Sequence, residues 1–131
     1  MNLYRFFPAW ELACKCAKCG RGQDDMDPEF MARLIGLRQA FGWALPVSSA
    51  FRCPDHNANV SATGRTGPHT TGRAVDIRIH GAAAYKLVEL AYRFGITGIG
   101  VGQKGPHDSR IIHLDDLGPS PAGPRPWIWT Y

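Results

Sequence analysis

No apolar run in this 131-residue chain approaches the roughly 20 residues needed to span a bilayer, so no transmembrane helix is expected. The opening Met1-Asn2-Leu3-Tyr4-Arg5-Phe6-Phe7-Pro8 has no basic region followed by a long apolar core. No signal peptide is therefore expected, which implies synthesis in the cytoplasm and delivery elsewhere only by some other agent. Internal repeats and low-complexity linkers are missing too, which excludes a repeat array or a tethered pair of modules. The length suffices for one core and not for two, so a single domain is expected over 1–131, with 1–24 as an irregular cysteine-containing segment. The net charge of +4 and pI of about 9.1 favour anionic partners in general. The cationic residues are scattered and form no patch, so nucleic acid is not an expected partner.

What is present reads as alternating helices and short strands. Asp27 is a plausible N-cap, with Pro28 at the first helical position and Glu29 in the first turn. Phe30, Leu34, Leu37, Arg38 and Phe41 follow at helical spacing, and Gly42 stops the run. A strand is expected over 45–52, then a break at Pro54 and a polar loop to Pro68. Val75, Ile77 and Ile79 alternate with Asp76, Arg78 and His80, as in a half-buried strand. A second helix starts at Gly81, carries Ala83, Leu87, Leu90 and Ala91 on one face, and stops at Gly95. Residues 96–101 alternate with glycines and read as a strand with close backbone packing. The next strand is 111–115, and Trp127, Trp129 and Tyr131 are core or lid elements of a proline-rich tail. This order predicts an α+β fold with helices packed on a small antiparallel sheet.

His69 and Asp76 lie seven positions apart, with Gly72 between them to turn the chain. Ile111, His113 and Asp115 share one strand face by period two. Two imidazoles and a carboxylate, from His69, Asp76 and His113, make a catalytic zinc set with the fourth position open. Cys14, Cys16 and Cys19 form a Cys-x-Cys-x-x-Cys cluster, and Cys53 stands apart. Three readings stay open: a four-thiolate structural zinc site if the fold returns Cys53 to the N-terminal loop, two disulfides, or unpaired buried thiols.

Several stretches carry a resemblance. Ser48-Ser49-Ala50-Phe51-Arg52-Cys53-Pro54-Asp55-His56-Asn57 precedes the His69–Asp76 segment, His113-Leu114-Asp115 follows it, Pro126-Trp127-Ile128-Trp129 comes near the end, and Trp10-Glu11-Leu12-Ala13-Cys14 near the start. Together they resemble the D-Ala-D-Ala carboxypeptidase family of zinc peptidases, which cut peptidoglycan stem peptides and share a fold with hedgehog domains. The resemblance implies a hedgehog/DD-peptidase-like fold, one Zn2+ on His69, Asp76 and His113, and peptidoglycan stem peptides as partners of a monomeric enzyme. It also implies a carboxypeptidase or endopeptidase; with no signal peptide expected and a single small domain, a phage endolysin or virion component that reaches the wall through a holin or with the particle fits. Two other readings are a non-catalytic wall-binding module on the same fold and a cytosolic D,D-dipeptidase.

The resemblance places Arg52 beside the cleft as the anchor for a substrate carboxylate; the other reading pairs it with Asp55. Asp115 is the expected general base, or else a carboxylate that orients a ligand histidine. Better-known members carry their base three positions before the last histidine, which here is Arg110, with Asp108 and His107 as nearby substitutes. His56, His80 and His107 are read as non-ligands.

Overall fold

The computed structural model describes residues 5–131. Met1 to Tyr4, and with them the start of the expected irregular segment and of the leader reading, lie outside the described residues. The first helix is α2, Pro28–Phe41, if the single turn α1, Ala9–Leu12, is set aside. Asp27 caps α2 as its sequence position predicts: its carboxylate accepts from the N–H groups of Glu29 (2.9 Å) and Phe30 (3.1 Å). Pro28, whose missing N–H is not needed there, opens the first turn, and Gly42 closes the last in a left-handed conformation with φ 90°. The apolar stripe faces inward, with Phe30, Met31, Leu34 and Leu37 fully buried.

The strands are β1 (Val47–Ser49), β2 (Ala74–Arg78), β3 (Gly98–Gly102), β4 (Ile111–Asp115) and β5 (Trp127–Thr130), in the sheet order β1-β2-β4-β3-β5. α4, Gly81–Arg93, packs beside α2 and β4. Its buried face is Ala84, Leu87, Leu90 and Ala91, so Ala84 replaces the expected Ala83. Val75 and Ile77 of β2 and Ile112 and Leu114 of β4 join this core. Fully burying an aliphatic or aromatic side chain contributes about 1.5–3 kcal/mol, so packing of this kind outweighs the propensity of any one element. Among the described residues no helix is long and apolar enough to cross a membrane.

Three expectations are corrected. The sheet is mixed, because β5 runs parallel to β3 while the other pairs are antiparallel. Residues 116–126 carry the chain from β4 past β3 to its far edge, and that crossover sets the direction of β5. The N-terminal segment is not wholly irregular: α1 forms a helical turn, and the buried Glu11 carboxylate accepts the N–H of Val47 (2.9 Å), tying that turn to β1. The expected loop after Pro54 begins as helix α3, Pro54–Val60, in which the Cys53 sulfur caps the N–H of His56 and Pro54 takes the first turn. Proline there starts a helix, as Pro28 does in α2.

Candidate active site

Register brings the site together. Asp76 on β2 lies directly opposite His113 on β4, and directly opposed residues point to the same face. Val75 and Ile77 take the helix-packed face, and Asp76 takes the other. That other face is roofed as well, so Asp76 is 7% exposed and not at a solvent edge. His69 sits on a 3-10 turn, Pro68–Thr71, that ends in Gly72 with φ 75°. A Cβ at Gly72 would lie 2.1 Å from the Asp25 carbonyl oxygen, so only glycine makes this turn against that neighbour. The turn returns the chain into β2, and the rings of His69 and His113 meet edge to face, 5.1 Å between centroids.

Neighbouring acceptors fix how each imidazole is turned. His69 donates Nδ1–H to the Ala50 carbonyl (2.7 Å), which leaves Nε2 facing Asp76 Oδ1 at 3.2 Å. His113 donates Nε2–H to Asp115 Oδ2 (2.7 Å), which leaves Nδ1 facing the same Asp76 oxygen at 3.0 Å. The three ligand atoms lie within 4.8 Å of one another. A tetrahedral zinc with bonds of about 2.0–2.1 Å sets its ligand atoms roughly 3.3–3.4 Å apart. The donor set, its inward-turned lone pairs and its spacing all fit that ion. Electrostatics agree. Burial alone would raise the Asp76 pKa, but His69 and His113 hold it well below the usual carboxylate range. Burial likewise disfavours a charged His113, yet the Asp115 and Asp76 carboxylates outweigh it and raise its pKa. The negative field that holds a proton there also holds a cation.

Asp115 is fully buried and already engaged. Besides facing His113, it accepts two N–H bonds from Arg125, at 2.9 and 2.8 Å. Burial opposes its ionisation, but hydrogen bonds from His113 and Arg125 bring its pKa down to about 2. β3 makes room for this pair: a Cβ at Gly98 would lie 2.2 Å from Asp115 Oδ1 and 2.5 Å from Arg125 Nε. One step along, a Cβ at Gly100 would lie 2.7 Å from Trp129 Nε1 and 2.9 Å from the Tyr131 hydroxyl. The alternating glycines that marked β3 as a strand of close approach thus leave space for Arg125, Trp129 and Tyr131 to cross above it.

Arg52 lies at the opposite side of Asp76. Its guanidinium donates to Ser49 Oγ (3.0 Å), Asn57 Oδ1 (3.1 Å) and Asp76 Oδ2 (3.4 Å). Asp55, the other partner considered for it, pairs with Arg65 instead. A cavity of about 580 Å³ is lined by His69, Asp76 and His113 together with Arg52, Ile111, Trp127, Trp129 and Tyr131. Among the described residues that line it, Asp76 is the only carboxylate. Partial burial, then the charge of Asp76, push up the pKa of the Tyr131 hydroxyl, so it remains a hydrogen-bond donor. His80 and His107 stack on each other away from this cavity, ring centroids 4.3 Å apart, and Asp108 is exposed.

Four contributors were not foreseen from sequence: Arg125, Asn57, Ser49 and the Ala50 carbonyl. The Ser48–Asn57 stretch contains three of them, and its role as backing for His69 and Arg52 depends on contacts that spacing does not reveal. The family model for peptidase M15 matches residues 5–115, which include His69, Asp76, His113, Arg52 and Asp115. No curated protein and no solved structure matches the chain.

Proposed function

Because the chain belongs to the peptidase M15 family, a family of metallopeptidases, we propose that it is a zinc peptidase that hydrolyses an amide bond in the stem or cross-link peptides of bacterial peptidoglycan, acting as a phage-type lytic enzyme. The observation that carries this reading is the convergence of His69 Nε2, Asp76 Oδ1 and His113 Nδ1 at the base of an open cavity, with both imidazoles turned by fixed acceptors. A zinc ion held there would supply Lewis-acid polarisation of a carbonyl and a water acidic enough to attack at neutral pH. The remaining work falls to the chain itself. Ala50 and Asp115 orient the ligand rings, and in this reading Asp115 positions His113 and is not the base. Both of its oxygens are engaged by His113 Nε2–H and two Arg125 N–H groups, it is fully buried, and it is not among the residues that line the cavity. The aromatic wall packs against the peptide, and the Tyr131 hydroxyl offers a donor to it. Peptidoglycan is supported by the sequence resemblance, by the basic charge of the chain and by Arg52, since stem peptides carry free carboxylates that a guanidinium binds in a fork. Purified protein should clear a cell-wall gel, lose that activity to a chelator and regain it with zinc. Mass spectrometry of the released muropeptides then identifies the bond. A wall left intact at full zinc loading would sink the reading and favour a binding module, and turnover of free D,D-dipeptide alone would favour the dipeptidase.

Arg52 gives a separate test. In Arg52→Lys the point charge remains, but the fork and its bonds to Ser49 and Asn57 do not. Hydrogen bonds to charged groups contribute about 1.5–3 kcal/mol, so KM for a carboxylate-bearing peptide should rise roughly 10–100-fold at unchanged zinc content. The same peptide with its carboxylate amidated should show little difference between variant and parent. An equal loss on both peptides would assign Arg52 to holding Asp76 alone.

A further inference from the structure

The second cluster of ligating atoms lies outside this cavity. Cys14, Cys16 and Cys19 form the loop after α1, closed by Cys14 N–H to the Arg21 carbonyl (2.9 Å). Cys53 comes from the segment after β1, and the fold returns it to that loop. The four sulfurs lie within 4.8 Å of one another, and the Cys16 and Cys53 sulfurs are 4.0 Å apart. A tetrahedral zinc with bonds of about 2.3 Å sets its sulfurs roughly 3.8 Å apart, whereas a disulfide bond is about 2.05 Å. The observed separation is thus that of an edge of a ZnS₄ tetrahedron.

Backbone N–H groups point at every one of these sulfurs. Lys18 and Cys19 donate to Cys16 Sγ at 3.4 Å each, Arg21 to Cys19 Sγ at 3.4 Å, Cys53 to Cys14 Sγ at 3.3 Å and His56 to Cys53 Sγ at 3.4 Å. A neutral thiol is a weak acceptor, and five donors gathered on four sulfurs is an environment arranged for thiolates. The turn is bent to achieve it. Ala17 takes φ 60° and Gly20 φ 67°, and a left-handed non-glycine residue costs about 1–2 kcal/mol. Four thiolates at this distance repel one another unless a cation lies between them. Cys14 and Cys53 are buried, Cys16 is half-buried and Cys19 is exposed, so an ion has a route in from solvent.

We propose that Cys14, Cys16, Cys19 and Cys53 hold a second, structural zinc ion that fastens the N-terminal loop to the segment carrying Arg52. All four positions are protein sulfurs, which leaves no open position for substrate or water. The clamp acts at a sensitive place. Cys53 follows Arg52 directly, the ring of Phe51 lies under the Arg21 guanidinium at 4.6 Å, and the Arg52 N–H bonds the His69 carbonyl (3.1 Å). The same segment supplies the Ala50 carbonyl that turns His69. A metal at the cysteines therefore positions the substrate anchor and one catalytic ligand without touching either.

Full-length protein purified under reducing conditions without chelator should contain about two zinc ions per chain. Titration of the native wild type with an organomercurial, which displaces metal from thiolates, should release one of them. The cobalt-loaded His113→Ala variant should keep the near-ultraviolet thiolate-to-cobalt charge-transfer bands, because its cysteine site is intact. Cys19→Ser should lose those bands and one zinc, with a lowered Tm. If that variant does not fold, the mercurial titration and the His113→Ala spectrum decide on their own. No mercurial-releasable metal would overturn the proposal, as would a mass deficit in the unreduced chain equal to one or two disulfides. Neither result bears on the His69–Asp76–His113 site, whose loading is read from the zinc that resists the mercurial.

Discussion

His113→Ala and His69→Ala should each abolish wall hydrolysis and lower bound zinc by one ion per chain. Each removes one of the three proposed ligands from a site whose other two cannot replace it, since Asp76 Oδ1 is the single oxygen facing both rings. Polarisation by a bound metal is worth several kcal/mol, and about 1.4 kcal/mol is tenfold in rate, so the loss should reach at least ~10³-fold. The two variants should differ in stability. His69→Ala strips the Ala50 carbonyl of its buried partner, and an unsatisfied buried polar group costs about 1–3 kcal/mol. His113→Ala leaves Asp115 still paired with Arg125. Zinc content, Tm and lysis measured on the same samples separate metal loss from unfolding. Full lysis from a variant that has lost that zinc would reject the ligand assignment and with it the metallopeptidase mechanism at this site.

The clustering of His69, Asp76 and His113 was legible because their residue types are restrictive and their strand periods are clear. His113 and Asp115 share a face by period two, and Gly72 marks the turn between His69 and Asp76. What spacing does not contain is register, and register is what sets Asp76 opposite His113. α2 was legible from both ends, since Asp27, Pro28 and Gly42 each have a conformational reason to be where they are. α3 was missed although Cys53-Pro54 repeats the cap-then-proline logic of Asp27-Pro28. The reason is that α3 buries only Asn57 and so has no apolar stripe to announce it. β5 was missed for a related reason. Trp127 and Ile128 are both exposed, so no alternation appears, and the strand exists because its backbone pairs with the glycine-bare β3. Arg125 stands between two prolines in a tail that looks irregular, and only the fold reveals that its side chain is 2% exposed against Asp115. The role of Asp115 depended on that hidden partner. From sequence a carboxylate beside a candidate ligand histidine suits a base somewhat better than an orienting group, and the Arg125 contact is what favours the orienting reading.

Asp115→Asn should therefore look like a metal-affinity variant and not like the loss of a base. The amide can still accept from His113 Nε2–H, but it is a weaker partner than a carboxylate and can also present its NH₂, so the ring is less firmly turned. Loss of such a partner typically lowers metal affinity by roughly 10–100-fold. Activity at limiting zinc should fall by that factor and return when zinc is added in excess. A missing general base behaves otherwise: the rate falls about 10²–10⁴-fold at full metal loading, and zinc does not restore it. Stability adds a second reading. The Arg125 guanidinium, buried against a wholly buried Asp115, would lose its counter-charge, and breaking a buried pair from one side costs on the order of 3–5 kcal/mol. Asp115→Asn should accordingly melt well below the parent, and the double variant Asp115→Asn/Arg125→Gln, which removes the stranded charge, should recover part of that loss without recovering zinc affinity. Three measurements on these two variants (zinc affinity, kcat at saturating zinc, and Tm) separate the roles. A kcat that stays low at saturating zinc while affinity is unchanged would make Asp115 the base after all, and would require its proton to be shared with His113 across the 2.7 Å contact between them.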